Sequence, residues 1–166
     1  GIAIAMLDSV PVVFITGQVS SALLGTDAFQ ETDVTGVTLP ITKHNWLVTR
    51  AEDIGPVLRE AFAVARSGRP GPVLVDITKD AQQASCAFDP SDRALARPAR
   101  VRPARGTTAD ALARAVALID RAERPLILAG HGVVAAGAAA EAAAFVARTG
   151  VPVASTLLGL GGFPAT

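Results

Sequence analysis

The stretch Gly25-Thr26-Asp27-Ala28-Phe29-Gln30-Glu31 carries the residue types best suited to chemistry. Phe29 is a large apolar ring, and the adjacent Gln30 is a neutral hydrogen-bond donor and acceptor. Such a pair can flank a ligand and orient it without titrating. The stretch follows a short apolar run, the position at which parallel α/β proteins place their ligand loops. The same two residues also suit a core phenylalanine beside a surface glutamine, and composition alone favours that packing role.

Gly68-Arg69-Pro70-Gly71-Pro72 leads into the run ending Asp76-Ile77-Thr78-Lys79-Asp80. The prolines fix φ while Gly71 keeps the backbone accessible. Arg69 and Lys79 bracket that run, and on this evidence two solvated charges are the favoured reading of them. Gly130-His131-Gly132, between an apolar run and a helical pattern, could bring backbone N–H groups to a phosphate. Ala135 takes the third glycine position of the dinucleotide fingerprint, which leaves that signal weak. His131 and His44 are the only histidines and do not form a ligand cluster. Cys86 has no evident base beside it, which argues against a nucleophile. No metal site is expected.

These residues must be positioned by a regular framework. Val10–Thr16 and Val73–Ile77 are β-branched apolar runs that read as buried parallel strands. Between them, residues 20–40 read as mostly loop with a short helix. Thr49-Arg50-Ala51-Glu52 fits a capping box, and Ile54, Leu58, Ala61, Phe62 and Ala65 then share one helical face, with Gly68 as the stop. Residues 89–105 hold Pro90, Pro98 and Pro103 with five arginines, a linker composition. The pattern then restarts. A helix begins at Thr107-Thr108-Ala109-Asp110, with Leu112, Val116 and Ile119 on one face. A strand over Pro125–Ala129, an Ala-rich helix over Ala135–Arg148 stopped by Gly150, and a strand over Val151–Ala154 follow. Strand–helix–strand order with short connections implies parallel α/β layers.

Composition narrows the function classes. Half of the 166 residues are hydrophobic and 18% are charged, the reverse of a disordered chain. Fifteen basic and fifteen acidic residues give zero net charge, which argues against nucleic acid as a partner. One cysteine permits no intrachain disulfide and no multi-thiolate zinc site. No apolar run reaches the roughly 18–20 residues that cross a bilayer, so no membrane partner is expected. The opening Gly1-Ile2-Ala3 and the closing Gly161-Gly162-Phe163 suggest ends cut from a longer chain.

Taken together, Gly17-Gln18-Val19, the 25–31 stretch, Thr42-Lys43-His44-Asn45, Ser67 through Asp76, Lys79-Asp80 and Ser155 through Gly161 resemble the acetohydroxyacid synthase (acetolactate synthase) large catalytic subunit. That family belongs to the thiamine diphosphate-dependent enzymes. The resemblance implies the second half of a pyrimidine-binding domain over 1–85, a linker over 86–104, and the start of a central parallel α/β flavin domain over 105–166. It implies an enzyme that decarboxylates pyruvate on thiamine diphosphate and ligates the hydroxyethyl group to a second 2-ketoacid, in branched-chain amino-acid biosynthesis. Another thiamine diphosphate carboligase (glyoxylate carboligase or a catabolic acetolactate synthase) and a non-catalytic truncated remnant are the alternatives.

By the same resemblance, Gln30 and Phe29 are catalytic and contact the cofactor or second substrate. Arg69, Gly130, His131, Gly132, Thr156, Leu157 and Leu158 match flavin-contacting positions, while Ser20, Ala28 and Lys79 match a substrate channel. Many members have proline at the Ser20 position, and the serine is expected to open the channel rim and to bear on inhibitor binding more than on catalysis. Leu158 stands where methionine is common and His131 where glycine is common. The implied cofactors are thiamine diphosphate, Mg2+ and FAD, with the pyrophosphate and Mg2+ sites outside this chain. Pyruvate and 2-ketobutyrate are the implied substrates. A homodimer or tetramer of the full subunit, a small regulatory subunit and a bacterial cytoplasmic location are also implied. Residues 1–166 alone are expected to lack carboligase activity and to be unstable in isolation.

Overall fold

The computed structural model describes residues 1–87 and 106–164. The chain divides into two units, residues 1–105 and 106–166. Most of the Arg- and Pro-rich linker expected over 86–104 lies outside the described residues.

The first unit is built on its central strand. Val73-Leu74-Val75-Asp76-Ile77-Thr78 is buried at every position, as a strand covered on both faces must be. This strand, β3, is flanked by β1 (Val13–Gln18) and β2 (His44–Val48), both parallel to it, in the order β1-β3-β2. Val13 and His44 both lie opposite Val73, and Gln18 lies opposite Thr78. The first strand is displaced from the expected Val10–Thr16. Pro11 has no N–H to give a ladder, and pairing begins where the Val73 N–H donates to the Val12 carbonyl. The strand then runs on to Gln18, whose polarity hid it from a hydrophobic reading. Strand β2 was likewise masked by its mixed composition.

Among the described residues four helices accompany the sheet: α1 (Ile2–Leu7), α2 (Val34–Thr38), α3 (Ala51–Arg66) and α4 (Lys79–Gln83). Ala61, Val64 and Ala65 of α3 and Ala81 of α4 pack with Val73, Val75 and Ile77 on one face of β3, joined by Ile54, Val57 and Leu58. Phe62, expected on that face, is 60% exposed. The apolar stripe runs through Val57 and Val64 instead, which turns the 62 position outward. The expected capping box is absent. The N-cap of α3 is Arg50 and no side chain caps it; Glu52 instead takes the Arg50 guanidinium. Residues 20–40 contain two short 3-10 turns, Ser21–Leu23 and Leu39–Ile41, besides α2.

The Thr42-Lys43-His44-Asn45 stretch stitches these layers. Lys43 Nζ donates to the carbonyls of Val64 (2.5 Å) and Ser67 (2.6 Å) at the C-terminal end of α3, where orphan carbonyls and the helix dipole favour a cation. Burial pulls its amine below the ordinary lysine value. Gly71 makes room for the stem, since a Cβ there would lie 3.0 Å from Lys43 Cδ. Asn45 Nδ2 donates to the Thr35 carbonyl of α2 at 2.6 Å, and His44 meets Trp46 edge to face at 4.4 Å.

In the second unit, α5 (Ala109–Asp120) starts within the expected Thr107–Asp110 stretch, capped by the Thr108 hydroxyl, which accepts the Ala111 N–H. Strands β4 (Ile127–Ala129) and β5 (Val153–Ser155) are parallel and paired from Ile127↔Val153 to Ala129↔Ser155. The single Ala-rich helix expected over 135–148 is two, α6 (His131–Ala135) and α7 (Ala139–Thr149). Gly137 breaks them with a φ of +65°, a conformation that ends a right-handed helix. Gly150 stops α7 at φ +67°, as expected. Leu112, Val116 and Ile119 are all exposed within this unit. Val116 and Ile119 line a groove of about 530 Å³ with Phe145 and Arg148 of α7. Among the described residues no helix is long and apolar enough to cross a membrane.

Candidate functional site

Parallel strands direct their C-terminal ends to one edge of the sheet, where connecting loops are free to bind ligands. In the first unit β1 ends at Gln18 and β3 at Thr78, opposite each other. Ser20, Ala28, Phe29 and Gln30 follow the first, and Lys79 follows the second. The structure thus places five of the expected site residues at one edge.

The loop after β1 is tied back to that edge by side chains. Gln18 Nε2 donates to the Thr32 carbonyl at 2.7 Å and to Asp76 Oδ2 at 3.1 Å, and its Oε1 accepts the Val19 N–H at 2.8 Å. Asp76, fully buried on β3, also accepts from Thr16 Oγ1 at 2.7 Å. One glutamine therefore joins the base of the loop, its far end and the central strand.

Within the loop, Phe29 is 90% exposed, which excludes the core role that composition favoured for it. Gln30 is also exposed and adopts a φ of +65°. Asp27 adopts +56° and Gly25 +76°. For a non-glycine residue this left-handed region costs about 1–2 kcal/mol, and such strain persists only where surroundings over-determine it. The surroundings here include Glu31. Its Oε1 accepts the Gly25 N–H at 2.5 Å and its Oε2 accepts the Ala28 N–H at 3.0 Å. These amides, that of Gly25 foremost, hold the carboxyl below its usual range.

A second carboxylate fixes the neighbouring turn. Asp80 Oδ2 accepts the Ser21 hydroxyl at 2.5 Å and its Oδ1 accepts the Ser21 N–H at 2.9 Å. These bonds, the hydroxyl's first, hold its carboxyl well below the usual aspartate value. They bring the Ser20 turn to the α4 end that carries Lys79. A carboxyl whose folded pKa lies below its unfolded one stabilises the fold fully above the unfolded value and loses that stabilisation as pH falls. Asp80→Asn is therefore expected to shrink the drop in thermal midpoint between neutral pH and about pH 3, near the unperturbed aspartate pKa. Glu31 and Asp33 are shifted in the same direction, so part of the acid loss remains. An unchanged drop in thermal scans of the two proteins would remove this role from Asp80.

Arg69 lies at the opposite edge of this sheet. It precedes β3, and its Nε donates to Ser9 Oγ at 2.6 Å and its Nη2 to the Leu7 carbonyl at 3.3 Å. With Met6, Lys43 and Ser67 it lines a cavity of about 420 Å³. The structure does not bring it to Gln30.

In the second unit the expected residues do converge. Gly130 caps α6 directly after β4, and Thr156 follows β5. The Thr156 N–H donates to the Ala129 carbonyl at 2.9 Å, and a 3-10 turn, Leu157–Gly159, follows. Gly159 is pressed against the Gly130 segment, since a Cβ there would lie 2.3 Å from the Ala129 oxygen. The outer side of the pair is open. A Cβ on Gly132 would meet nothing within 4 Å, His131 is exposed, Leu157 is 82% exposed and Leu158 46%. Exposed backbone beside apolar side chains suits a flat, extended ligand. Among the described residues no group of three or more His, Cys, Asp or Glu could hold a metal ion.

Gln18, Glu31, Asp80 and Gly159 were not singled out by sequence reasoning. Glu31 had a usable signal, standing at the end of a short turn whose amides need an acceptor, whereas Asp80 accepts from Ser21, 59 residues away, and had none. Gly159 had none, because its constraint comes from a backbone 30 residues away in sequence on another strand.

Residues 112–166 match the family model described as thiamine pyrophosphate enzyme, central domain. The acetolactate synthase large subunit of Corynebacterium glutamicum is 50% identical over 98% of this chain and 26% of its own length. Acetolactate synthase of Arthrospira platensis is 47% identical over 98% of the chain and 28% of its own length. Acetolactate synthase 2, chloroplastic, of Nicotiana tabacum is 49% identical over 99% and 24%. The chain spans about a quarter of the length of these curated relatives. Nearly all of this α/β chain is thus similar to acetolactate synthases, and residues 112–166 match the central domain of the thiamine pyrophosphate enzymes.

Proposed function

We propose that the chain is part of an acetolactate synthase large subunit that joins pyruvate to a second 2-ketoacid, pyruvate or 2-ketobutyrate. The carrying observation is 45–50% identity to proteins of that name over 98% or more of the chain. That identity favours this reading over the other carboligases. In this reading residues 1–85 belong to the pyrimidine-binding domain and 105–166 to the central domain, in an enzyme that assembles from whole subunits.

Thiamine diphosphate, when bound, supplies the electron sink for decarboxylating one ketoacid and joining its two-carbon remainder to the other. The residues of this chain orient and enclose. Gln30, held rigidly on its loop, offers an amide donor to a carbonyl or carboxylate oxygen and has no acidic proton to quench a carbon nucleophile. Phe29 supplies an apolar wall that excludes water beside it. Ser20, Ala28 and Lys79 form the rim through which the ketoacid enters. The lysine charge attracts the carboxylate of the substrate.

FAD fits the second unit's pair of turns, where open backbone at Gly130, His131 and Gly132 adjoins Thr156, Leu157 and Leu158. Arg69 joins the flavin contacts in this reading through the resemblance alone, its Nε and Nη2 being engaged with Ser9 and Leu7. By the resemblance alone, Mg2+ and the pyrophosphate of the cofactor are held by residues outside this chain.

The test uses the full-length protein with thiamine diphosphate, Mg2+ and FAD. Acetolactate is expected from pyruvate, measured as acetoin after acid decarboxylation. Consumption of glyoxylate with no product from pyruvate would move the protein to another carboligase.

A further inference from the structure

We propose that Glu31 is a positioning residue for the carboligation site, its carboxylate latching the 25–31 loop so that Gln30 and Phe29 are presented in one pose. The inference rests on the reading of Gln30 and Phe29 given above.

The loop carries three left-handed residues within six positions, Gly25, Asp27 and Gln30. Two of them are not glycine, so the loop does not hold this shape by backbone preference. Phe29 is 90% exposed and buries too little to hold it either. What closes the loop is Glu31, with one oxygen on Gly25 N–H (2.5 Å) and the other on Ala28 N–H (3.0 Å). The Glu31 N–H also donates to the Ala28 carbonyl at 2.9 Å. The two clamped amides flank Thr26 and Asp27, and the second lies immediately before Phe29. The side chain therefore spans the loop from its first residue to the one that aims the ring. Both of its oxygens must accept, which an ionised carboxylate does and an amide cannot. A glutamine has one acceptor, and its NH2 group would face either the Gly25 or the Ala28 N–H donor to donor.

The experiment compares wild-type, Glu31→Gln, Glu31→Ala, Gln30→Gly and the Gln30→Gly/Glu31→Gln double variant in the full-length protein. Two readouts are taken: steady-state acetolactate formation, and amide hydrogen exchange at Gly25 and Ala28 against Leu74 and Val75 in the buried strand. Glu31→Gln is expected to lower kcat by about tenfold to a hundredfold, the effect of displacing a positioned group by about 1 Å. KM for pyruvate is expected to stay within about twofold. Exchange at Gly25 and Ala28 should quicken while Leu74 and Val75 stay protected. If Glu31 acts through Gln30 and Phe29, the double variant loses less than the product of the two single losses. Wild-type kcat with wild-type exchange in both Glu31 variants overturns the proposal. So does a rate loss with faster exchange at Leu74, which marks general destabilisation, or additive losses in the double variant. A wild-type protein that forms no acetolactate overturns the functional reading instead, and the exchange data still decide whether the latch exists.

Discussion

Gln30→Gly is expected to make the full-length protein slower and more stable at once. Gln30 sits at φ +65°, where a Cβ costs about 1–2 kcal/mol. Glycine removes that cost and gives back about 0.5–1 kcal/mol through the greater freedom of the unfolded chain. The net gain is about 0.5–1 kcal/mol, a rise in thermal midpoint. The same substitution deletes the carboxamide, and losing one preorganised donor costs about 10²–10³ in rate. Gln30→Ala separates the two effects. Alanine keeps the left-handed strain and loses the amide, so it should be as slow as the glycine variant without its added stability. Thermal unfolding and acetolactate formation in the three proteins check this together. A Gln30→Gly protein with undiminished rate would remove Gln30 from the chemistry, and one with no rise in midpoint would remove the strain.

Gly159→Ala is expected to have the largest effect in the second unit. Its methyl group would lie 2.3 Å from the Ala129 oxygen, 3.0 Å from the Ala129 carbonyl carbon and 3.1 Å from the Gly130 Cα. All three are backbone atoms, which cannot rotate aside as a side chain would. One of the two turns must move, opening the surface proposed above for flavin. Overpacking of this kind costs about 1–3 kcal/mol, and the rigidity of the obstructing atoms puts this case at about 3 kcal/mol. The full-length variant should melt lower and carry less flavin after purification, measured by absorbance of the flavin released on denaturation. Gly132→Ala is the control, since a Cβ there meets nothing within 4 Å. It should melt with the wild type. Wild-type flavin content in Gly159→Ala would show that the close approach of the turns is not needed for binding.

Strong local patterns were legible in the sequence. The apolar run Val73–Ile77 became the buried central strand, the Thr108 start and Gly150 stop were read correctly, and both turns after β4 and β5 were placed. Elements lacking a hydrophobic signature were not legible. Strand β2 begins His44-Asn45, and α1 leaves Ile4 and Leu7 exposed, so neither shows a one-sided pattern. In the candidate site, residue types pointed to Gln30 and Phe29, but spacing could not choose between a core and an exposed phenylalanine. That choice depends on which carboxylates turn inward. Glu31 and Asp80 do so onto backbone amides, while Asp110 turns outward to Arg114. All three are acids near a helix or turn boundary, and only the fold distinguishes them.

The sheet order also sets the sequence of events by which the site comes into being. Strands β2 and β3 are joined through α3 alone, and His44 meets Val73, 29 residues further on. Strand β1 reaches the same partner from much farther away, with Thr16 and Asp76 60 residues apart. Closing the longer loop costs more chain entropy before any contact rewards it. On loop closure alone the β2-α3-β3 unit is expected to assemble first and β1 to dock onto it afterwards. Gln18 finds Asp76, and Ser21 finds Asp80, only at that docking. On that order the edge carrying Ser20, Gln30 and Lys79 is completed by the last strand to dock, and a chain halted before it would hold its core without that edge.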